Sequence, residues 1–228
     1  MSNIHVDCLQ ATYGRHARVE ESLACFLAQD YQQRHLHILN NHPCDLIFNH
    51  PLVTIHNEGG KHKTLGHCRN RLLEFAQPDG LMRIWDDDDA FLPWSASQGV
   101  SRIGNNVAWK PEFSWFTHGG KTFSLMGNAM EASITWQTRF VKSVGFFPGQ
   151  GNESSLLMQA FGNAGVPCND TGSWTSYLYR WGCWPGHWHA SGTIGDGRPE
   201  EVRAAEWQRM NNDVRQGVPL TPDFASVR

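Results

Sequence analysis

The sequence predicts an α/β protein with a mostly parallel central sheet flanked by helices, and three observations support this prediction. Short apolar strands alternate with amphipathic helices over residues 4–85. Polar residues follow most of these strands directly. From residue 106 onward, aromatic residues recur at strand-like spacing, so we expect a smaller mixed region beside the sheet. With 228 residues, 40% of them apolar, the chain can form a single domain with a sizeable core.

Each element of the first half is predicted from the spacing of its apolar residues. Val19, Leu23 and Phe26 recur at helical spacing, and a second amphipathic segment contains Leu72 and Phe75. The predicted strands are residues 4–9, 36–39, 52–55 and 81–85, and the first helix is 17–29. The order strand, helix, strand, strand, helix, strand is typical of a parallel sheet, which binds ligands at the carboxyl ends of its strands.

The second half is less regular. Residues 106–126 predict strands and hairpins, residues 154–163 a helix, and residues 199–216 a surface helix. Trp174, Trp181, Trp184 and Trp188 fall within fifteen positions. Such a concentration of indole rings indicates a binding surface, although an aromatic core is the plainer interpretation.

Composition limits the classes of function. The net charge of −3 and the pI near 6.4 argue against broad electrostatic binding to nucleic acid, although a local basic groove is compatible with them. No apolar run approaches the ~18 residues of a membrane span, and residues 1–7 lack the pattern of a signal peptide. We therefore expect a cytoplasmic protein. The six cysteines are scattered, which favours reduced thiols.

Four consecutive aspartates, Asp86 to Asp89, follow the last predicted strand directly. A solvated acidic turn is the usual fate of such a run. Here the carboxylates would repel one another close to the core, and a hard divalent cation such as Mn²⁺ or Mg²⁺ would relieve that repulsion. The spacing of Asp86 and Asp88 by two residues places both on one side of an extended chain. We therefore favour a metal site.

The aspartate segment, Arg83 to Pro93, resembles the motif of family-2 glycosyltransferases with the GT-A fold, including small soluble enzymes of phage and bacterial type. Residues 11–15 (Ala-Thr-Tyr-Gly-Arg) are similar to the family's opening motif, and residues 22–31 to its first helix. Residues 66–70 (Gly-His-Cys-Arg-Asn) are similar to the start of its next helix. The resemblance implies one GT-A domain with a nucleotide-sugar-binding half (1–95), an acceptor half (96–192) and a C-terminal helical extension (193–228).

The resemblance also implies roles for residues of the first half. Thr12 and Tyr13 would border the nucleotide base, and Asp88 would bind the metal that bridges the donor diphosphate. The further residues expected at the donor are Arg15, Asn40, Arg69, Asp86 and Asp87. Arg69 has an alternative role, in which it forms an ion pair that steadies the acidic loop. Asn40 stands where the family often has an aspartate, and this difference weakens the expectation that the donor base is uracil, as is usual in the family.

In the second half, Glu153 is the candidate catalytic base, because residues 144–157 resemble the segment that carries the family's Glu-Asp pair. Ser154 replaces the second acid of that pair. A helix-terminal carboxylate is the alternative for Glu153. His189 matches a late metal ligand of the fold, while a zinc site with Cys183 is a weaker interpretation. Trp181 and Trp188 are expected on the acceptor side.

The sequence therefore predicts a metal-dependent, inverting glycosyltransferase that uses a nucleotide sugar, with a UDP-sugar favoured, and Mn²⁺ or Mg²⁺ as cofactor. A catalytically inactive nucleotide-sugar-binding homologue is a first alternative. A nucleotidyltransferase is poorly supported, because residues 11–15 lack a glycine-rich triphosphate loop. The acceptor could be a saccharide, a protein or a hydroxymethylated base in DNA, and the last of these is the principal alternative.

Overall fold

The computed structural model describes residues 4–118, 122–127, 130–149, 153–164, 175–181 and 218–222. The strands are β1 (Val6–Thr12), β2 (Arg34–Asn40), β3 (Leu46–Ile47), β4 (Val53–Asn57), β5 (Leu81–Ile84), β6 (Ala90–Phe91), β7 (Ala108–Trp109), β8 (Phe113–His118), β9 (Thr122–Gly127), β10 (Thr135–Gln137), β11 (Tyr177–Trp181) and β12 (Val218–Pro219). The helices are α1 (His16–Leu27), α2 (Leu65–Phe75), α3 (Ser95–Ile103), α4 (Thr138–Val144) and α5 (Ser155–Asn163), and a short 3₁₀ helix spans Glu131–Ser133.

The central sheet has six strands in the order β4-β2-β1-β5-β10-β7, and its first four are mutually parallel. The strands β1 and β5 are buried along nearly their whole length, as expected for parallel strands covered on both faces. In register, Thr12 lies beside Asn40, and Leu9 beside Ile84. The carboxyl ends of β1, β2 and β5 therefore open onto the same edge of the sheet.

A second sheet, in the order β6-β11-β8-β9, begins immediately after the four aspartates. Its first strand is tied to the core by Trp85, whose ring stacks on Phe91 at 3.8 Å and meets Phe26 of α1 edge-on at 5.8 Å. The buried guanidinium of Arg83 donates to the carbonyls of Ser95 and Ser133, which joins β5 to α3 and to the 3₁₀ helix. The two sheets thus meet at the end of β5.

The elements predicted from apolar spacing are present with small shifts at their ends. Helix 17–29 is α1, helix 154–163 is α5, and residues 106–126 contain the predicted strands and hairpin. The prediction omitted β3, β6, β10, β11, α3 and α4, which are short or lack regular spacing. The predicted helix 199–216 lies outside the described residues. Of the predicted C-terminal helical extension, residues 193–228, the structure describes only residues 218–222, and Val218–Pro219 forms β12, which pairs with β3.

The four cysteines that the structure describes, Cys8, Cys25, Cys44 and Cys68, are free thiols, as expected. Within the described part of the chain, no helix combines the length and apolar character needed to cross a bilayer.

A histidine cluster lies where β1, β2 and β4 run side by side, and it consists of His5, His35, His37 and His56 around Asp7. His5 and His37 both contact Asp7 Oδ1, at 3.0 and 3.3 Å, and His37 Nδ1 lies 3.3 Å from His56 Nε2. The ring of His56 stacks on Phe75 at 3.7 Å. Burial, reinforced by repulsion from His37, lowers the pKa of His56 from 6.5 to about 4.

We expect the contribution of His56 to the free energy of unfolding to decrease as the pH falls from 6.5 towards 4. The pKa of His56 is depressed in the folded state, so in this range unfolded chains bind a proton at His56 that folded chains exclude. His56→Phe keeps the stack on Phe75 and removes this contribution, so the free energy of unfolding of the wild type relative to that of His56→Phe should decrease over the same range. Urea unfolding at about pH 7 and about pH 5 measures it. His67→Gln, at an exposed histidine of α2, should leave the dependence unchanged, and an unchanged slope in His56→Phe would contradict the assignment.

Candidate functional site

The acidic loop, defined as Asp86 to Asp89, connects β5 to β6 at the carboxyl edge of the central sheet. Asp87, Asp88 and Asp89 are only 1–6% exposed, while the side chain of Asp86 is 29% exposed. The loop is therefore not a solvated acidic turn. Each carboxylate has a different set of partners, and these partners come from both halves of the chain.

Arg15 holds the middle of the acidic loop. Its guanidinium lies 2.6 Å from Asp87 Oδ1 and donates to Asp88 Oδ2 at 2.9 Å, and the Thr12 hydroxyl donates to Asp87 Oδ2 at 2.6 Å. Gly14 has φ +64°, a left-handed conformation that lets the chain turn sharply between β1 and α1. The backbone carbonyl of Arg15 accepts the first hydrogen bonds of α1, so the turn places its side chain over the loop.

Arg69 of α2 holds the first carboxylate and connects it to two glutamates. Its guanidinium lies 3.0 Å from Asp86 Oδ1, 3.0 Å from Glu153 Oε1 and 3.5 Å from Glu131 Oε1. It also donates to the Ser154 hydroxyl at 2.8 Å. Three carboxylates thus surround one buried cation, and the ion pair with Asp86 is the arrangement predicted as the alternative for Arg69, in which it steadies the acidic loop.

The segment before Glu153 is positioned by α2. The amide of Asn70 donates to the Phe146 carbonyl and accepts from the Phe146 N–H, at 2.8 and 2.9 Å. A Cβ on Gly66 would lie 2.0 Å from the Phe147 carbonyl oxygen, so only glycine permits this approach. The Phe147 N–H then donates to the Glu153 carbonyl at 2.9 Å. These contacts bring Glu153 against Arg69.

Asp89 is held by β11. The Tyr177 hydroxyl donates to Asp89 Oδ2, and the Arg180 N–H donates to Asp89 Oδ1 at 2.9 Å. The Arg180 side chain donates to the Asp88 carbonyl at 2.8 Å and to Glu21 at 3.0 Å. Asp89 is thus committed to joining the two sheets, which leaves Asp86 and Asp88 as the carboxylates better placed for a ligand.

Among the described residues around the acidic loop, negative charges outnumber positive ones. Seven of their carboxylates, Asp86 to Asp89 with Glu21, Glu131 and Glu153, share four arginines: Arg15, Arg18, Arg69 and Arg180. Burial, opposed by Arg69 and reinforced by Asp88, raises the pKa of Asp86 to about 7. Burial, opposed by Arg15 and reinforced by Asp88, raises the pKa of Asp87 to about 6. A further positive charge at the loop would favour the ionised form of these carboxyl groups over the protonated form.

The donor set of the acidic loop suits a hard divalent cation, because carboxylate oxygens are the ligands that Mg²⁺ and Mn²⁺ prefer. Among the described residues, no three His, Cys, Asp or Glu side chains are already arranged to hold a metal ion. Mg²⁺ is commonly bound by one or two carboxylates together with substrate phosphates. Asp86 and Asp88 fit that arrangement.

At the end of β2, the polar residues serve the loop that follows. Asn40 is fully buried, and its amide donates to the Cys44 carbonyl at 2.8 Å and to Asn57 Oδ1 at 2.9 Å. The Asn40 side chain is therefore committed to the structure of this loop and offers no free edge to a nucleotide base. Tyr13 meets His42 edge-on at 4.9 Å, so these two rings lie together at the predicted base-binding end.

Of the predicted site residues, Thr12, Arg15, Arg69, Glu153 and the acidic loop come together in one place. Trp181 ends β11, where its backbone pairs with His118, whereas Trp188 and His189 lie outside the described residues. Sequence analysis missed Glu131, Tyr177 and Arg180. No motif marks Glu131, and Tyr177 and Arg180 lie some ninety residues from the loop they hold, so local spacing gave no signal for them.

No model of a known protein family matches the sequence, and no curated protein matches it. Solved structures of GT-A-type glycosyltransferases do match the fold. S. aureus TarS 1–349 in complex with UDP aligns with a TM-score of 0.58 and 12% identity, over 78% of this chain and 60% of that one. The chain therefore spans about 60% of the length of that structure.

Two further solved structures have the same fold. The mannosyltransferase PcManGT from Pyrobaculum calidifontis, in complex with GDP-Man and Mn²⁺, has a TM-score of 0.50 and 16% identity over 68% of this chain and 51% of that one. Glucosyl-3-phosphoglycerate synthase from Mycobacterium tuberculosis, in complex with UDP, has a TM-score of 0.50 and 13% identity, over 94% of this chain and 83% of that one. These similarities confirm the predicted GT-A fold.

The contact between Tyr177 and Asp89 should stabilise the junction of the two sheets. We expect Tyr177→Phe to lower the free energy of unfolding by about 1–3 kcal/mol, because a buried carboxyl loses a hydrogen-bond donor. A double-mutant cycle with Asp89→Asn, followed by urea unfolding, isolates the contact. The double variant should be less destabilised than the sum of the single variants, and strict additivity would show that the contact contributes nothing.

Proposed function

We propose that the protein is a metal-dependent glycosyltransferase that transfers a sugar, with inversion, from a nucleotide sugar to an acceptor hydroxyl. The observation that carries this proposal is the acidic loop, which holds Asp86 beside Arg69 and Asp88 beside Arg15 at the carboxyl edge of the central sheet. Two of the structures with the same fold contain UDP, and the third contains GDP-Man with Mn²⁺. A UDP-sugar is the donor we favour.

Asp86 and Asp88 would hold Mn²⁺ or Mg²⁺, which supplies positive charge to the leaving diphosphate when it is bound. Arg15 and Arg69 contact these same carboxylates, so both guanidinium groups would lie within reach of the donor phosphates. Thr12 and Tyr13 would border the base, and Asp87 would fix Thr12 and Arg15 in place. His189 is proposed as a further metal ligand, and Trp181 and Trp188 as acceptor-side residues.

Glu153 is the proposed catalytic base. The acceptor oxygen would attack the anomeric carbon, the bond from that carbon to the diphosphate oxygen would break, and the acceptor proton would pass to Glu153. The nucleoside diphosphate leaves with the bonding electron pair. Glu131 competes for this role, because it shares Arg69 and its side chain is 31% exposed against 11% for Glu153.

A catalytically inactive nucleotide-sugar-binding protein is the second candidate, and Ser154 favours it. Its hydroxyl accepts from Arg69 at the position where the resembled family carries an acid, so the site holds one ionisable group fewer. Donor binding would then occur without turnover.

Asp88→Asn should abolish the metal-dependent protection of the protein by its donor, because an amide oxygen carries no net charge to hold the cation. The measurement is the thermal unfolding temperature with UDP-sugars and GDP-sugars, each with and without Mn²⁺. A shift seen only with Mn²⁺ is expected for the wild type. Asp79→Asn, an exposed aspartate just before β5, is the matched control. Unchanged protection in Asp88→Asn would refute the metal site.

The identity of the base is tested by a pair of amides. Glu153→Gln should lower kcat by about 10²–10⁴-fold while the donor still protects the protein, since only proton transfer is lost. Glu131→Gln should retain most of the turnover. The reverse pattern would move the role to Glu131, and donor protection without turnover in the wild type would favour the inactive homologue.

A further inference from the structure

Four large apolar side chains are exposed together on the β8–β9 hairpin. Phe113, Trp115, Phe123 and Leu125 are 40, 38, 59 and 50% exposed. Trp115 pairs with Leu125, so these two side chains lie on the same side of the hairpin. Phe113 lies two residues before Trp115, and Phe123 two residues before Leu125, and side chains two residues apart along a strand point to the same side. All four side chains therefore share one side of the hairpin. We call these four residues the hairpin face.

The polar Ser114 is 0% exposed on one side of β8, while its aromatic neighbours Phe113 and Trp115 face solvent on the other side. Thr117 lies on the same side as the hairpin face, where it pairs with Phe123, and is 1% exposed. Leaving a large apolar side chain in water forgoes about 1.5–3 kcal/mol of burial free energy. A contiguous apolar patch that the fold leaves exposed at this cost indicates a binding surface.

The hairpin face belongs to the sheet that starts at the acidic loop. The register aligns Ala90, Leu178, Trp115 and Leu125 in one row across β6, β11, β8 and β9. Asp89 immediately precedes Ala90. Because neighbouring strands lie about 4.8 Å apart, β8 and β9 are roughly 10 and 15 Å from β6. A chain of a few sugar rings spans that distance.

Charge argues for a neutral occupant. The strands β8 and β9, residues 113–118 and 122–127, contain no Lys, Arg, Asp or Glu. Nucleic acid binds chiefly through its phosphates and needs such cations along its path. The apolar C–H faces of a saccharide ring instead match the flat rings of Phe113, Trp115 and Phe123.

Area argues against a second copy of the chain. The four exposed side chains present on the order of 300–400 Å². Two copies joined through this face would bury about twice that area, which is below the roughly 1,200 Å² of a stable interface. The patch has the size expected for a short saccharide.

We propose that the hairpin face binds the acceptor and that this acceptor is a neutral saccharide whose rings stack on Trp115 and Phe123. The inference rests on the proposed glycosyl transfer, which it deepens by naming the class of acceptor. The acceptor chain lies across β9 and β8, and its terminal hydroxyl reaches the acidic loop along the row that ends at Ala90.

The test is retention on an array of neutral oligosaccharides built from glucose, galactose, mannose and N-acetylhexosamines, with single- and double-stranded DNA as additional spots. Wild-type protein should be retained by a subset of the neutral oligosaccharides. Trp115→Ala and Phe123→Ala should each weaken this retention by roughly tenfold, because each removes a stacking ring. Ile47→Ala, at an aliphatic side chain of β3 that is 52% exposed, should leave it unchanged.

The proposal is overturned if no neutral oligosaccharide retains the wild type. It is overturned as well if Trp115→Ala and Phe123→Ala are retained as strongly as the wild type. It is also overturned if DNA alone is bound, or if sedimentation shows a dimer that Phe123→Ala dissociates. Thermal protection by UDP-sugars and GDP-sugars, measured on the same preparations, tests the proposed function separately. Loss of saccharide retention with intact donor protection therefore refutes only the acceptor assignment.

Discussion

The constraint on which the rest of this structure depends is the crowding of four consecutive carboxylates, three of them buried, at the end of one strand. Such charges are tolerated only where cations or hydrogen-bond donors compensate them. Here the compensation comes from the turn before α1 through Arg15, from α2 through Arg69, and from β11 through Tyr177 and Arg180. Elements distant in sequence must converge on the acidic loop, so the loop organises the fold as well as the site.

The same constraint separates the roles of the four aspartates. Asp89 is surrounded by protein donors and holds the two sheets together, whereas Asp86 keeps about a third of its side chain exposed. Asp87 and Asp88 share Arg15, which fixes their orientation before any ligand arrives. Preorganised charges of this kind would act on the proposed donor without further rearrangement, which is the usual basis of electrostatic catalysis.

The spacing of apolar residues predicted the central sheet and its helices. Apolar residues recur at every second position of a strand that is buried on one side, and at every third to fourth position of an amphipathic helix. The acidic loop was predicted as well, since adjacent like charges after an apolar strand demand an explanation. Contacts made across the fold could not be predicted. Glu131 approaches Arg69 only because the 3₁₀ helix packs beside β5, and no local pattern encodes that packing. Sequence could not show that the amide of Asn40, a predicted donor residue, hydrogen-bonds to Cys44 and Asn57.

The strand β6 gives the molecule its functional geometry, although it is only two residues long. Its first residue follows the acidic loop of the central sheet, and its register continues through Leu178 to Trp115 and Leu125 of the second sheet. A ligand bound at the carboxyl edge of β1 and β5 and a ligand bound on the hairpin face would therefore meet at the acidic loop. Because both surfaces are fixed by the hydrogen-bonded ladders of their sheets, the position at which the two ligands meet is set by the fold itself.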